Sequence, residues 1–300
     1  MKTKLALFAI VFVMAGQAVA QTGSQAYAFK VLANKGKNEV KSGSGWTPLK
    51  VGATLKNEDE LRISENAYLG LVHSSGKAIE VRKAGSIKVM DLASEVKDSP
   101  TVLKKYTDFM LSSNTGPKNT LAATGAVSRG TENIIVYLPK PELAVVYGDK
   151  VTINWEGDQK SAPYVVYFKS MFGDDLASQE APTNSLVVDL TNKSFVNEDN
   201  IIVTVESRAN KSKHSAEYTL KRISKADKAR ISGDLAKIDA SASDATAINK
   251  LSVAAFFEEN NLIIDAIPYY QDAIKLAPDV PDYKDFYEDF LVRYGIKAKK

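Results

Sequence analysis

Apolar and polar residues alternate along the first third of the chain in short runs: Tyr27, Phe29 and Val31, then Leu61 and Ile63, Leu69 and Leu71, Ile79 and Val81, and Ile87 and Val89. A period of two turns one side of each run toward a core, which predicts half-buried strands. Gly43-Ser44-Gly45, Gly52, Asn57, Ser74-Ser75-Gly76 and Gly85 separate them as turns, and the shortest connection, His73 to Ala78, predicts a hairpin. The run from Trp46 to Val89 therefore reads as a compact β-module. At Ser99-Pro100 the period changes, since serine suits a cap and proline a first helical turn. Val102, Tyr106, Phe109 and Met110 follow at helical spacing and predict one helix near 100–112. Ser112 to Asn119 reads as a loop and Leu121 to Val127 as a further strand, ending at Arg129-Gly130.

Alternation resumes over longer runs: Val151, Ile153 and Trp155; Tyr164, Val166 and Phe168; Leu186, Val188 and Leu190; Val203 and Val205; Tyr218 and Leu220. Strands separated by turns over 131–223 predict a β-sandwich. Beyond Ser224 the period becomes 3.6. Ile231, Leu235 and Ile238 mark one helix, Ile248, Leu251, Ala255 and Phe256 a second, and Ile263, Ile267, Tyr270, Ala273 and Ile274 a third. In the fourth, Tyr283, Phe286, Tyr287, Phe290, Leu291 and Tyr294 recur at three and four residues opposite Asp282, Asp285 and Asp289, with Gly295 as a stop. The expected fold class is multidomain α+β: an N-terminal β-module with one helix over 21–130, a central β-sandwich over 131–223, and C-terminal antiparallel helices over 224–300.

The start of the chain changes where this protein is expected to work. Lys2 and Lys4 precede an apolar run from Leu5 to Met14, then Gly16 and Ala18-Val19-Ala20 before Gln21, the pattern of a signal peptide over 1–20 with an A-x-A cleavage site. As a helix, Leu5 to Ala20 spans roughly 24 Å, short of a hydrocarbon core of about 30 Å. Later apolar runs are shorter still, so no transmembrane span is expected in the mature chain. The absence of cysteine excludes disulfides, thiolate metal sites and the acylated cysteine of a lipoprotein. Loss of Lys2 and Lys4 with the leader brings the 39 basic and 36 acidic side chains close to balance. A nucleic-acid partner, which needs a basic face, is not expected.

Three segments resemble known families. Leu49, Val51-Gly52, Leu55, Asp59, Leu61-Arg62-Ile63-Ser64, Ala67, Leu69, Leu71 and Gly76 resemble the FecR-type periplasmic domain, which implies signal relay at the cell envelope between outer-membrane receptors and regulators. Trp155, the β-branched strands and Tyr167 resemble the immunoglobulin or fibronectin type III pattern, although the strand Asn200 to Ser207 lacks the tyrosine of a tyrosine corner. Val253, Ala254, Phe257, Ala266, Tyr270, Ala273 and Pro278 resemble one tetratricopeptide repeat near 247–280. About three repeats are normally needed for a continuous core, so this unit must lean on flanking helices, on the sandwich or on another protein. Together the resemblances imply an exported adaptor of a Gram-negative envelope with Bacteroidetes-like architecture, periplasmic in the first instance and otherwise secreted or surface-associated.

Candidate chemistry is sparse. His73 and His214 lie far apart and lack a nucleophile-elbow context, so no catalytic residues are assigned and a hydrolase ranks last. Asp174-Asp175 and the series Asp279, Asp282, Asp285, Glu288 and Asp289 lack calcium-loop spacing and read as turn and solvated-face residues; no metal and no cofactor are expected. Trp46 has two readings. As a sugar-stacking platform its loss leaves stability unchanged; as a core residue its truncation costs about 3–5 kcal/mol. Tyr283, Phe286, Tyr287, Phe290 and Tyr294 form the candidate partner-binding face, against the alternative that they pack on the preceding helix pair. The expected function is interaction or scaffolding at the envelope with a protein partner. Glycan or peptidoglycan binding is the alternative.

Overall fold

Strand-forming alternation and turn glycines produce the expected β-rich first half. The computed structural model describes residues 27–96, 134–156, 161–241 and 245–297. The signal peptide over 1–20, the helix near 100–112 and the strand Leu121 to Val127 lie outside the described residues.

Eight strands form the N-terminal module: β1 Phe29–Lys35, β2 Asn38–Ser42, β3 Gly45–Pro48, β4 Thr54–Leu55, β5 Glu60–Ile63, β6 Tyr68–His73, β7 Ala78–Val81 and β8 Gly85–Lys88. They pair into two antiparallel sheets, β4-β1-β6-β7 and β3-β2-β5-β8. Phe29, Val31, Leu55, Leu61, Leu69, Leu71 and Val89 fill the space between them. Several of the motif residues between Leu49 and Gly76 are structural. Leu49, Leu55, Leu61, Ile63, Ala67, Leu69 and Leu71 are buried, Gly52 carries the positive φ of its turn, and the Lys56 N–H donates to Asp59 Oδ2 at 2.8 Å. The predicted hairpin is present as β6–β7, with Val72 opposite Ala78. Ile87 lies in β8, but Val89 begins a short helix, α1 Val89–Ser94, where continued alternation had predicted strand.

The central region contains β9 Ile135–Val136, a 3-10 turn at Pro141–Leu143, β10 Val145–Val146, β11 Lys150–Glu156, β12 Tyr164–Ser170, β13 Asp175–Ala181, β14 Ser185–Asp189, β15 Asn200–Ser207 and β16 Tyr218–Arg222. A five-stranded sheet, β10-β16-β15-β12-β13, faces a three-stranded one, β14-β11-β9. Strict alternation on β12 and β15 sends Tyr164, Val166, Phe168, Ile201, Val203 and Val205 inward. Trp155 meets Tyr164 edge-on at 5.4 Å, and Phe168 meets Phe195 at 5.1 Å. Strand β13 was not expected, because its sequence DLASQEA has no apolar alternation; it is an edge strand held by β12.

Four helices follow: α2 Lys225–Ser241, α3 Ala247–Glu259, α4 Ile263–Leu276 and α5 Pro281–Arg293. The Thr246 hydroxyl caps α3 by accepting the Asn249 N–H, and Gly295 follows α5 with φ of 66°. Helix α3 is buried on nearly every side, as an all-round apolar helix must be. One of its neighbours is the sheet β4-β1-β6-β7, whose second face contributes Leu32, Ala33, Tyr68, Val72 and Ala78 to the helical core. That sheet is therefore covered on both faces, which explains the continuous apolar run Tyr68–His73. Gly70 sits at a close approach of sheet and helix: a Cβ there would lie 3.2 Å from Ile248 Cδ1 and 3.3 Å from Ala33 Cβ of the neighbouring strand.

Candidate functional site

Three of the five aromatic residues of the candidate partner-binding face are buried within the chain. Tyr283 and Phe290 have no exposed surface and Phe286 is buried, while Tyr287 and Tyr294 are half-buried. The Tyr283 hydroxyl lies 2.6 Å from that of Tyr68 on β6. Phe290 packs on Tyr270 of α4 at 4.7 Å and on Tyr294 at 5.3 Å. Beneath this stripe, Glu258 of α3 accepts from Arg293 Nε and Nη2 at 3.0 and 2.6 Å and from the Tyr270 hydroxyl at 2.6 Å. Burial works against the Arg293 charge, but the Glu258 carboxylate outweighs it and holds the guanidinium above its ordinary pKa. Burial, with Glu258 alongside, pushes the Tyr270 phenol well up.

Acidic side chains bind the helices to both β-regions. Asp265, in the first turn of α4, accepts the Tyr147 N–H at 2.8 Å and the Gly148 N–H at 2.7 Å from the β10–β11 corner. Burial pushes its carboxyl up to about 6, with the two backbone donors opposing the shift. Asp282, in the first turn of α5, accepts the Asn34 N–H of β1 at 2.8 Å, and Asp279 pairs with Lys35 at 2.5 Å. Glu80 of β7 accepts the Ile248 N–H at the start of α3. Of the acidic series, Asp279 just before α5 and Asp282 in its first turn are clasps to β1, while Glu288 pairs with Lys297. Asp174 accepts from Ser170 in the β12–β13 turn, and Asp175 pairs with Lys169. Among the described residues, no group of three or more His, Asp or Glu could hold a metal ion. His73 Nδ1 accepts the Ser75 N–H within its hairpin turn, and His214 is exposed in an isolated bridge opposite Glu206 of β15.

Trp46 does not take the core form. It is half-buried on edge strand β3, outside the core of the module, and the Arg62 guanidinium stands 4.1 Å over its ring with Lys41 Nζ at 5.9 Å. The pairing register explains the arrangement. Outward positions align in two rows across the sheet, Pro48–Glu39–Arg62–Ser86 and Trp46–Lys41–Glu60–Lys88. Arg62 reaches across β2 to cover Trp46, and its Nε meets Glu39 at 2.9 Å on the way. Helices cover the outer face of the companion sheet, whereas this face is left open among the described residues. Alternation in Leu61-Arg62-Ile63 marks Arg62 as outward, but only the folded register brings it to Trp46.

A second face left open among the described residues lies on the central sheet, where Tyr167, Lys169, Asp175, Ser178, Thr204 and Glu206 line a shallow cavity of about 580 Å³. Phe172, at the β12–β13 turn, is 95% exposed. No helix among the described residues is long and apolar enough to cross a membrane. No protein-family model matches the chain, and no curated protein matches it.

Proposed function

We propose that this chain is an exported, non-enzymatic interaction or scaffold protein of the cell envelope, serving signal relay there. The observation that carries the reading is the double attachment of the helical unit. Asp282 and Tyr283 fasten it to β1 and β6, Asp265 fastens it to the β10–β11 corner, and open sheet faces are left on both β-regions. This is the build of a rigid presenter of surfaces. The FecR-type residues at Leu49 to Gly76, the tetratricopeptide-like pair α3–α4 and the leader over 1–20 support an envelope location. The sandwich order, β14-β11-β9 against β16-β15-β12-β13, supports the immunoglobulin or fibronectin resemblance.

The test is made in cells. Fractionation with N-terminal sequencing reads export, with Gln21 expected as the first residue. Photo-crosslinkers at exposed Ser86 and Ser178 read whether each open face meets an envelope protein. A full-length cytoplasmic chain overturns export, and adducts at neither position overturn the interaction.

The half-exposed Trp46 on an open face favours a second reading, glycan or peptidoglycan binding. Co-sedimentation with purified cell wall, lost in Trp46→Ala, is its expected outcome.

A further inference from the structure

We propose that the open face of β3-β2-β5-β8 binds a carboxylate-bearing glycan, with Arg62 as the carboxylate anchor and the Trp46–Pro48 rim as the sugar contact. This rests on the glycan reading and narrows it to a ligand class. The guanidinium is already oriented: Trp46 lies under its plane at 4.1 Å and Glu39 holds Nε at 2.9 Å. Its two Nη groups have no hydrogen bond to a described residue, and the side chain is 47% exposed. A guanidinium fixed on one edge and presented on the other suits a planar carboxylate.

Charge on the face complements such a ligand. Glu39 is occupied by Arg62, and Glu60 lies in register between Lys41 and Lys88, so cations exceed acids. The two lysines sit on either side of Glu60 across β2, β5 and β8, spaced by strands about 4.8 Å apart. A chain of acidic sugars running across the strands would meet Arg62 and these lysines in turn. The edge position of β3 leaves Trp46 and Pro48 at the rim, where a pyranose ring can lie against apolar surface. An anionic lipid surface is a separate outcome, which the vesicle arm of the experiment reads.

The experiment uses the full mature chain and polygalacturonate as probe, with its fully methyl-esterified form as the uncharged control and phosphatidylglycerol vesicles as the lipid arm. Binding to polygalacturonate alone is expected. Arg62→Gln should weaken it at least tenfold, Arg62→Lys should restore part of the loss, and Trp46→Phe should keep binding while removing the ligand-induced change in tryptophan fluorescence. Melting temperatures of the three variants, expected to stay near that of the parent, separate loss of binding from loss of fold. Equal binding of the esterified form, an unaffected Arg62→Gln, or binding to vesicles in place of the glycan overturns the proposal. If cell wall still sediments the Arg62→Gln variant, the glycan reading survives at another surface; if neither cell wall nor polygalacturonate binds the parent, both fall.

Discussion

The hydroxyls of Tyr68 and Tyr283 meet at 2.6 Å inside the protein although 215 positions separate them in the chain. Both rings are buried, so each hydroxyl is the other's substitute for water, and Arg82 lies 4.5 Å over the Tyr68 ring. Burial pushes both phenols up, which keeps them neutral donors and acceptors. Tyr283→Phe takes one partner from the Tyr68 hydroxyl and leaves it Glu80, and should cost about 1 kcal/mol. Tyr68→Phe/Tyr283→Phe should cost less than the sum of the single changes, because the shared hydrogen bond is lost only once. Urea midpoints of the four proteins measure the coupling; strict additivity would show that the contact is incidental.

Gly70 is the second contact that ties sheet to helix. Gly70→Ala places a methyl 3.2 Å from Ile248 Cδ1 and 3.3 Å from Ala33 Cβ, so these neighbours must give by a few tenths of an ångström. Overpacking of this kind typically costs about 1–3 kcal/mol. Gly70→Ala with Ile248→Val should recover part of the loss, read as a rise in melting temperature over the single variant.

These contacts show where sequence and structure part. Period-two alternation at Leu69 and Leu71 correctly marks the inner face of β6, but Tyr68 and Val72 on the other face are buried too. The cue was the unbroken apolar run, which signals a sheet covered twice. Helices α2, α4 and α5 were legible from spacing because each turns a locally periodic face inward, and α3 because its apolar residues recur at the same spacing although nearly every side of it is buried. The destination of the α5 stripe was not legible, since its partners Tyr68 and Asn34 are more than two hundred residues earlier and no local pattern encodes them. Trp46 likewise reads as core or platform until the strand register lays Arg62 over it. Edge strand β13 escaped notice because a strand held on one side can be polar throughout.

Asp265 makes the attachment to the sandwich sensitive to pH. Its folded value of about 6 stands above the ordinary 3.8, so the folded state holds the proton more tightly than the unfolded chain. The stabilising contribution is therefore complete below about pH 4 and is lost as pH rises through about 6, amounting to roughly 3 kcal/mol at about 1.4 kcal/mol per pKa unit. Asp265→Asn should flatten this part of the profile. Denaturation at pH 4, 5, 6 and 7 checks it: parallel profiles for parent and variant would refute the assignment. Gly148→Ala should disturb the same joint, because its Cβ would stand 3.0 Å from Asp265 Oδ1.

Glu258 is a buried charge whose neutralisation comes from one residue. Removing the guanidinium in Arg293→Ala leaves a carboxylate with no exposed surface and should cost about 3–5 kcal/mol. Glu258→Leu/Tyr270→Phe/Arg293→Leu removes the charges and the phenol together and should be far closer to the parent, since well-packed apolar groups often replace a buried ion pair without loss. Chemical denaturation of both proteins decides between a network that stabilises and one that only must not be broken in part.

Deletion of 225–300 tests the attachment as a whole. If the helices were an independent tail, the remaining β-regions would fold and stay monomeric without them. The structure gives the opposite expectation, because removal uncovers Leu32, Ala33, Tyr68, Val72 and Ala78 on one contiguous sheet face and frees the N–H groups of Asn34, Tyr147 and Gly148. An exposed apolar sheet face of this kind invites association. The truncated chain should bind a hydrophobic dye and aggregate, and restoring 225–300 as a separate polypeptide should rescue it. A truncated protein that elutes as a monomer with native near-ultraviolet dichroism would show that the helical unit is an appendage rather than the joint between the two β-regions.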